Sequence, residues 1–188
     1  MRERILRKCG SLYAVFIGGC VIVSPIVIAI LLTAVITKSH IESQFRVVYS
    51  LDRRANNQEI IRLINEADKY VYFAIYYFSE KSIADALVRA KERGVAVRGI
   101  NDRDASQDAN KSVDTELSAA GIPVEVQKHE DGIMHIKALV TDKAYASGSY
   151  NWTTAATESN DEILEIGTDR SVHDQYLAII KKVLAANQ

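Results

Sequence analysis

This sequence of 188 residues contains only two cysteines. The two cysteines are Cys9 and Cys20, so the long remainder of the chain contains none. That remainder therefore has no internal disulfide and no cysteine-based metal site. An oxidising compartment is neither required nor excluded. Internal repeats and low-complexity tracts are also lacking, and the length predicts a single globular domain.

The sequence also lacks an excess of positive charge, with 23 Lys and Arg residues against 24 Asp and Glu residues. Five of the cations lie before residue 39, and only one anion does. Residues 39–188 therefore carry 18 cations and 23 anions, a net charge of −5. Proteins that bind nucleic acid nonspecifically usually present a basic face. The acidic balance counts against a processive or high-affinity nuclease, and any nucleic-acid site must be a local one.

One long stretch, residues 12–37, contains no charged residue. A bilayer core of about 30 Å is spanned by about 20 apolar residues in a helix, so this stretch predicts a transmembrane anchor. Membrane helices tolerate a proline such as Pro25. A cleaved secretory signal and a buried core helix are the alternatives. The run is longer than the ~7–15 apolar residues of a signal, no clear small-x-small site follows it, and core helices are rarely so uniformly apolar.

Cations flank the N-terminal side of this stretch, which orients the predicted anchor. Basic residues before a span stay in the cytoplasm, so the domain after it should be extracytoplasmic, periplasmic or extracellular in a bacterium. The predicted organisation is a cytoplasmic N-terminus (1–11), an anchor or uncleaved signal (12–37), a linker (38–44) and a catalytic domain (45–188). The cations before the span are Arg2, Arg4, Arg7 and Lys8.

Strand and helix patterns alternate after the linker, which predicts an α/β domain with a mixed or mostly parallel central sheet flanked by helices. A cap formed by Ser82 with Asp85 predicts a helix that Gly94 ends. The last helix spaces Val172, Tyr176, Ile179 and Val183 at helical intervals, and residues 101–110 read as a polar loop. The predicted strands are 45–50, 70–78, 95–100, 124–127, 135–141, 144–147 and 162–166, and the other helices are 56–67 and 111–120.

Polar residues recur at fixed intervals between residues 135 and 151. His135 and Lys137 are two apart, as are Ser149 and Asn151, so each pair points to one side of a strand. An imidazole, an ammonium, a hydroxyl and a carboxamide in one patch suit a phosphodiester. Lys137 would place charge on the nonbridging oxygens, and Ser149 and Asn151 would add neutral donors. His135 can attack phosphorus or transfer a proton near neutral pH, and Gly148 would let the backbone approach a bound anion.

Each of these residues alone has an ordinary explanation. A histidine on a strand is usually structural or solvated, a lysine usually faces solvent, and a Gly-Ser pair usually marks a turn. Their joint spacing around apolar strand residues is hard to explain by packing. The pattern therefore favours a phosphate site.

The pattern H-x-K-x4-D followed by G-S-x-N resembles the signature of the phospholipase D superfamily. Trp152 and Thr153, followed by Asn160 and Glu162, resemble its small, single-motif, Nuc-type nuclease branch. Similarity extends over about residues 48–184. Five residues separate Asp142 from Gly148, where the family usually has six, so the hairpin should be one residue shorter. The matching residues are His135, Lys137, Asp142, Gly148, Ser149 and Asn151.

The resemblance implies a homodimer, because two copies of the motif build one active site in this family and this chain has one. It implies a two-step reaction in which one His135 forms a phosphohistidine and the other protonates the leaving oxygen. Lys137 and Asn151 from both chains would stabilise the equatorial oxygens. Glu162 is the candidate to orient His135, and Asp142 is expected to hold the local fold. No metal or cofactor is implied.

The sequence is compatible with three functions. The first is a nonspecific endonuclease acting on DNA or RNA without metal, favoured by the small size and single motif. The second is a phospholipase D acting on phospholipid headgroups, which the predicted anchor permits. The third is a membrane-tethered module that binds phosphate without turnover.

Overall fold

The computed structural model describes residues 26–36, 44–108, 111–128 and 131–188. Residues 26–36 form helix α1, whose side chains are exposed, and Gln44–Gln188 forms a separate compact unit. The predicted tail 1–11, most of the predicted anchor and nearly all of the linker lie outside the described residues. Among the described helices, none has the length and apolar character needed to cross a membrane.

The described part of Gln44–Gln188 contains one sheet of seven strands. In chain order they are β1 (Phe45–Tyr49), β2 (Tyr70–Ile75), β3 (Ala96–Asn101), β4 (Val124–Val126), β5 (Lys137–Thr141), β6 (Tyr145–Gly148) and β7 (Ile163–Gly167). Their order across the sheet is β1-β7-β6-β5-β2-β3-β4.

The sheet is mixed, as predicted, but the expectation that it is mostly parallel is wrong. Only the β2–β3 and β3–β4 pairs are parallel, and the other four neighbouring pairs are antiparallel. Helices α4 and α6 connect the parallel strands, as crossover connections require. The β5–β6 connection is only a tight turn, so these two strands run in opposite directions.

Helices cover both faces of this sheet. On one face α3 and α4 bury the larger core, which includes Phe73, Leu139 and Trp152. On the other face α8 covers β2, β3 and β5 through Ile180 and Leu184. The helices of this unit are α2 (Ser50–Arg53), α3 (Asn56–Glu66), α4 (Lys81–Glu92), α5 (Arg103–Asp108), α6 (Lys111–Ala119), α7 (Thr154–Glu158) and α8 (Arg170–Ala186).

Four local predictions were wrong. Helix α4 begins at Lys81, and Ser82 donates a hydrogen bond to Glu80 Oε1 instead of capping the helix. The segment predicted as a polar loop contains α5. Ile179 is 52% exposed on α8, because Ile180 is the residue that faces the sheet. Strand β5 begins at Lys137, so His135 lies in the segment before it.

Candidate active site

The β5–β6 hairpin determines where the motif residues lie. Ala138 pairs with Ser147 and Val140 pairs with Tyr145, so the start of β5 and the end of β6 meet at one end of the hairpin. The turn at the opposite end is closed by the Thr141 hydroxyl, which accepts hydrogen bonds from the backbone of Lys143 and Ala144. The segment between Asp142 and Gly148 is one residue shorter than in the family pattern, but β5 and β6 still pair through a regular antiparallel ladder.

The glycine at position 148 has a structural reason that its sequence context does not reveal. A Cβ atom at this position would lie 2.1 Å from the carbonyl oxygen of Ile163 in β7. The neighbouring strand therefore excludes any side chain here. Close strand packing explains the glycine, and no approach of a bound anion is needed.

His135 and Lys137 lie together at this end of the hairpin but in different environments. The His135 side chain is exposed, whereas Lys137 is 8% exposed. Lys137 Nζ donates a hydrogen bond of 3.1 Å to the backbone carbonyl of His135. The two residues are thus joined through the main chain, with the imidazole directed to solvent and the ammonium held beneath it.

Tyr76, which directly follows β2, contacts both residues. Its ring centroid is 4.8 Å from that of His135, and Lys137 Nζ lies 5.2 Å from the Tyr76 centroid. Tyr76 N donates to the carbonyl of Ile136, which extends the β2–β5 ladder by one bond. Tyr76 could not be predicted as a site residue, because nothing in a run of aromatic strand residues distinguishes one of them.

The segment before His135 is anchored by a buried carboxylate. Asp102 is 1% exposed, and its Oδ2 accepts a hydrogen bond of 2.8 Å from the backbone nitrogen of Met134. Its Oδ1 accepts from the backbone nitrogens of Asp104 and Ala105 at the start of α5. One side chain therefore connects α5 to the residue that precedes His135.

Burial determines the electrostatics of Lys137. Desolvation lowers the pKa of its ammonium, and the carboxylate of Glu162 opposes that effect. An ammonium that is partly removed from water gains more from a bound anion than an exposed one does. The site therefore places a cation that lacks full hydration beside an exposed imidazole.

Ser149 and Glu162 are joined directly. The Ser149 hydroxyl donates a short hydrogen bond to Glu162 Oε2, and it accepts one of 3.1 Å from the backbone nitrogen of Ile163. Glu162 Oε1 accepts from the side chain of Asn160 at 3.2 Å. In the described part of the chain, the Glu162 carboxylate has no hydrogen bond with His135. Its predicted role in orienting that ring stays a prediction.

A buried serine from outside the motif holds this network in place. Ser50 is fully buried, and its hydroxyl donates to the carbonyl of Asn160 and accepts from the backbone nitrogen of Glu162, at 2.7 and 2.8 Å. A backbone bond from Ser50 to the carbonyl of Glu162 completes the connection. Helix α2 thus positions the segment that carries Glu162.

Asn151 is fixed next to the aromatic residues of the site. Its Oδ1 accepts a hydrogen bond of 3.2 Å from the backbone nitrogen of Tyr77, and its Nδ2 makes none within the described residues. Trp152, which follows it, is buried against Phe73 and Phe78. The carboxamide nitrogen can therefore donate to a substrate oxygen while the tryptophan anchors the chain.

Asp142 is not brought into this cluster. It directly follows β5, about 16 Å of extended chain away from Lys137. Its Oδ1 accepts hydrogen bonds from the backbone nitrogens of Asp68 and Lys69, at 3.0 and 3.2 Å. Desolvation raises the pKa of Asp142, but the hydrogen bonds lower it by more, so the net effect is a lowered pKa. The carboxylate thus connects the start of β2 to the β5–β6 turn.

Comparison with known proteins places this arrangement in a family. The family model described as "Cardiolipin synthase, PLD-like domain" matches residues 60–184, which include the whole motif. The chain belongs to the phospholipase D superfamily. The resemblance noted in the sequence is thereby confirmed.

Curated members of the superfamily are similar over the same region. The phospholipase D of Rickettsia conorii is 34% identical over 119 residues, 63% of this chain and 58% of that protein. The mitochondrial cardiolipin hydrolase of Xenopus tropicalis is 32% identical over 118 residues, 62% and 55% of the two chains. This chain thus spans less than two thirds of the length of these superfamily relatives.

Solved structures of small superfamily members share the fold. The phospholipase D family member Nuc from Salmonella typhimurium matches with a TM-score of 0.71 at 24% identity, covering 77% of this chain and 95% of that one. NucT from Helicobacter pylori gives 0.69 at 25% identity, covering 76% and 96%. The predicted phospholipase D-like fold, with a sheet between layers of helices, is confirmed.

Proposed function

We propose that this chain hydrolyses phosphodiester bonds through a covalent phosphohistidine on His135. The observation that carries the proposal is the pairing of an exposed imidazole with a buried ammonium at one end of the β5–β6 hairpin. An exposed imidazole can reach phosphorus, and a fixed cation can stabilise charge on the nonbridging oxygens. The Asn151 Nδ2, at the same end, adds a neutral donor, whereas the single hydroxyl proton of Ser149 is donated to Glu162.

The reaction has two steps. An imidazole nitrogen of His135 attacks phosphorus while the bond to the leaving oxygen breaks, and His135 of the partner subunit gives that oxygen a proton. The partner's His135 then takes a proton from water, the water oxygen attacks phosphorus, and the bond from nitrogen to phosphorus breaks. The products are an alcohol and a phosphomonoester, and both imidazoles return to their starting states. We propose that no metal or cofactor takes part.

The homodimer is part of the proposal because a single chain supplies a single imidazole of the motif. Mixing wild-type chains with His135→Asn chains tests it. If two chains share a site, an equal and fully exchanged mixture keeps about one quarter of the wild-type activity, since about one quarter of dimers hold two intact chains. Retention of about one half would show that each chain acts alone and would refute the shared site.

A nucleic acid is the first substrate we propose, with endonuclease activity on DNA or RNA that shows little sequence preference. The folds of Nuc and NucT support a small single-motif enzyme. The net charge of −5 on residues 39–188 predicts weak binding that is not processive.

A phospholipid headgroup is the second candidate. It is favoured by relatives described as phospholipase D and as mitochondrial cardiolipin hydrolase, and by the uncharged stretch 12–37. We propose that this stretch anchors the protein with its catalytic domain outside the cytoplasm. Resistance of the membrane-bound chain to alkaline extraction, with cleavage of the domain by external protease, tests this arrangement.

One set of assays separates these possibilities. The full chain is incubated with single-stranded DNA, phosphatidylcholine and cardiolipin, each with and without a chelator, beside a His135→Asn variant. Cleavage of DNA alone supports the nuclease, and release of a headgroup supports the phospholipase. Loss of activity with chelator refutes the mechanism. Binding without turnover in the wild type supports a phosphate-binding module, and a covalent phosphorus adduct on His135 found by mass spectrometry supports catalysis.

A further inference from the structure

The His135 imidazole has little to hold it in place. It is exposed and precedes β5, and within the described residues its ring makes no hydrogen bond. Its ring contact is with Tyr76, at 4.8 Å between centroids and an interplanar angle of 64°. An edge-to-face arrangement of this kind is favourable and directional. The tyrosine ring therefore limits which rotamers the imidazole adopts.

The same ring lies beside the second functional group. Lys137 Nζ is 5.2 Å from the Tyr76 centroid, within the range of a cation–π interaction. Because burial lowers the pKa of this ammonium, contact with an electron-rich ring helps to retain its charge. One aromatic side chain thus contacts both the proposed nucleophile and the proposed phosphate-binding cation.

Tyr76 is itself firmly placed. Its backbone nitrogen bonds to the carbonyl of Ile136, and its ring packs against Tyr77 at 4.3 Å and 68°. A hydrogen bond with the Tyr77 side chain, together with desolvation, raises the pKa of Tyr76 to about 12. The phenol therefore stays protonated near neutral pH, and its hydroxyl is engaged by a neighbour.

We propose that Tyr76 is a positioning residue whose ring holds the His135 imidazole and the Lys137 ammonium in the arrangement that phosphoryl transfer needs. The role belongs to the ring and not to the hydroxyl. The proposal rests on the proposed function of His135, and it adds a residue outside the motif to the same site.

The test compares Tyr76→Phe, which keeps the ring, with Tyr76→Leu, which removes it. Tyr72→Leu is the matched control, because Tyr72 is also half-buried and lies on β2, where it stacks on Tyr70 away from the site. With bis(p-nitrophenyl) phosphate as the probe, Tyr76→Phe should keep kcat within about twofold. Tyr76→Leu should lower kcat about tenfold with a smaller change in KM, and Tyr72→Leu should change neither.

A second readout does not depend on turnover. The His135 ring protons, assigned by their loss in His135→Asn, should move in the NMR spectrum of Tyr76→Leu, because the ring current of Tyr76 is removed. They should stay in place in Tyr76→Phe and in Tyr72→Leu. If these resonances are unchanged in Tyr76→Leu, or if Tyr76→Phe is as impaired as Tyr76→Leu, the proposal is overturned. If the His135 resonances shift in Tyr76→Leu but the wild-type chain does not hydrolyse the probe, the proposed function alone is refuted.

Discussion

Replacing Ser50 with alanine should destabilise the unit Gln44–Gln188 and loosen its candidate active site. The Ser50 hydroxyl is fully buried and satisfies two backbone groups, the carbonyl of Asn160 and the nitrogen of Glu162. Leaving a buried polar group without a partner costs about 1–3 kcal/mol. With two such groups, the free energy of unfolding should fall by about 2–4 kcal/mol, a decrease in Tm on the order of 10 °C for a domain of this size.

Urea denaturation followed by circular dichroism measures this change. Ser118→Ala is the control, because Ser118 is exposed on α6 and its substitution should change stability by less than about 0.5 kcal/mol. Hydrolysis by the folded fraction of Ser50→Ala should also decrease, since the segment that bears Glu162 loses its connection to α2. If the free energy of unfolding falls no more in Ser50→Ala than in the control, the reasoning from these two buried bonds is wrong.

Three further predictions concern stability. Hydrogen bonds from Arg46 lower the pKa of Glu59 to about 2, because their effect outweighs that of desolvation. The stability that the ionised Glu59 contributes is therefore present above pH 4.5 and is lost as the pH falls toward 2. In acid titrations, Glu59→Gln should remove about 1 kcal/mol of that pH dependence, a value reduced for solvent screening. Gly148→Ala should lower Tm more than Gly94→Ala, because a Cβ at Gly148 meets a β7 carbonyl at 2.1 Å. At Gly94 no described atom lies within 4 Å of a Cβ, so its substitution adds only the strain of a positive φ. Asp142→Ala should reduce the free energy of unfolding by about 1–3 kcal/mol, yet leave the kcat of the folded protein unchanged.

The sequence predicted the elements whose signal is local. Strand β2 was found because a continuous run of apolar and aromatic residues marks a strand covered on both faces. The direction of the strands was predicted less well, because the direction of each strand depends on how it is connected to the next. The missed helix α5 has a polar sequence, and it begins where Asp102, buried by tertiary packing, accepts two backbone nitrogens.

In the candidate site too, local features could be predicted from the sequence and features that depend on distant residues could not. The sequence predicted two strands joined by a short turn, which is a local property, and the motif residues lie near one end of that hairpin. The expected strand periodicity does not apply to them, since His135 precedes β5 and Ser149 and Asn151 follow β6. The supporting residues Tyr76, Asp102 and Ser50 could not be predicted. They lie far from the motif in sequence, and only the sheet order brings them to it.

The environments of the two motif residues suggest why their roles are divided as proposed. A nucleophile must meet phosphorus and then allow water to reach the adduct, which an exposed imidazole such as His135 can do. A group that stabilises developing charge works best when it is fixed and poorly hydrated, as the nearly buried Lys137 is. A bound phosphate brings negative charge to this ammonium and so opposes the effect of burial on its pKa. Substrate binding therefore favours the charged form of Lys137, which burial disfavours.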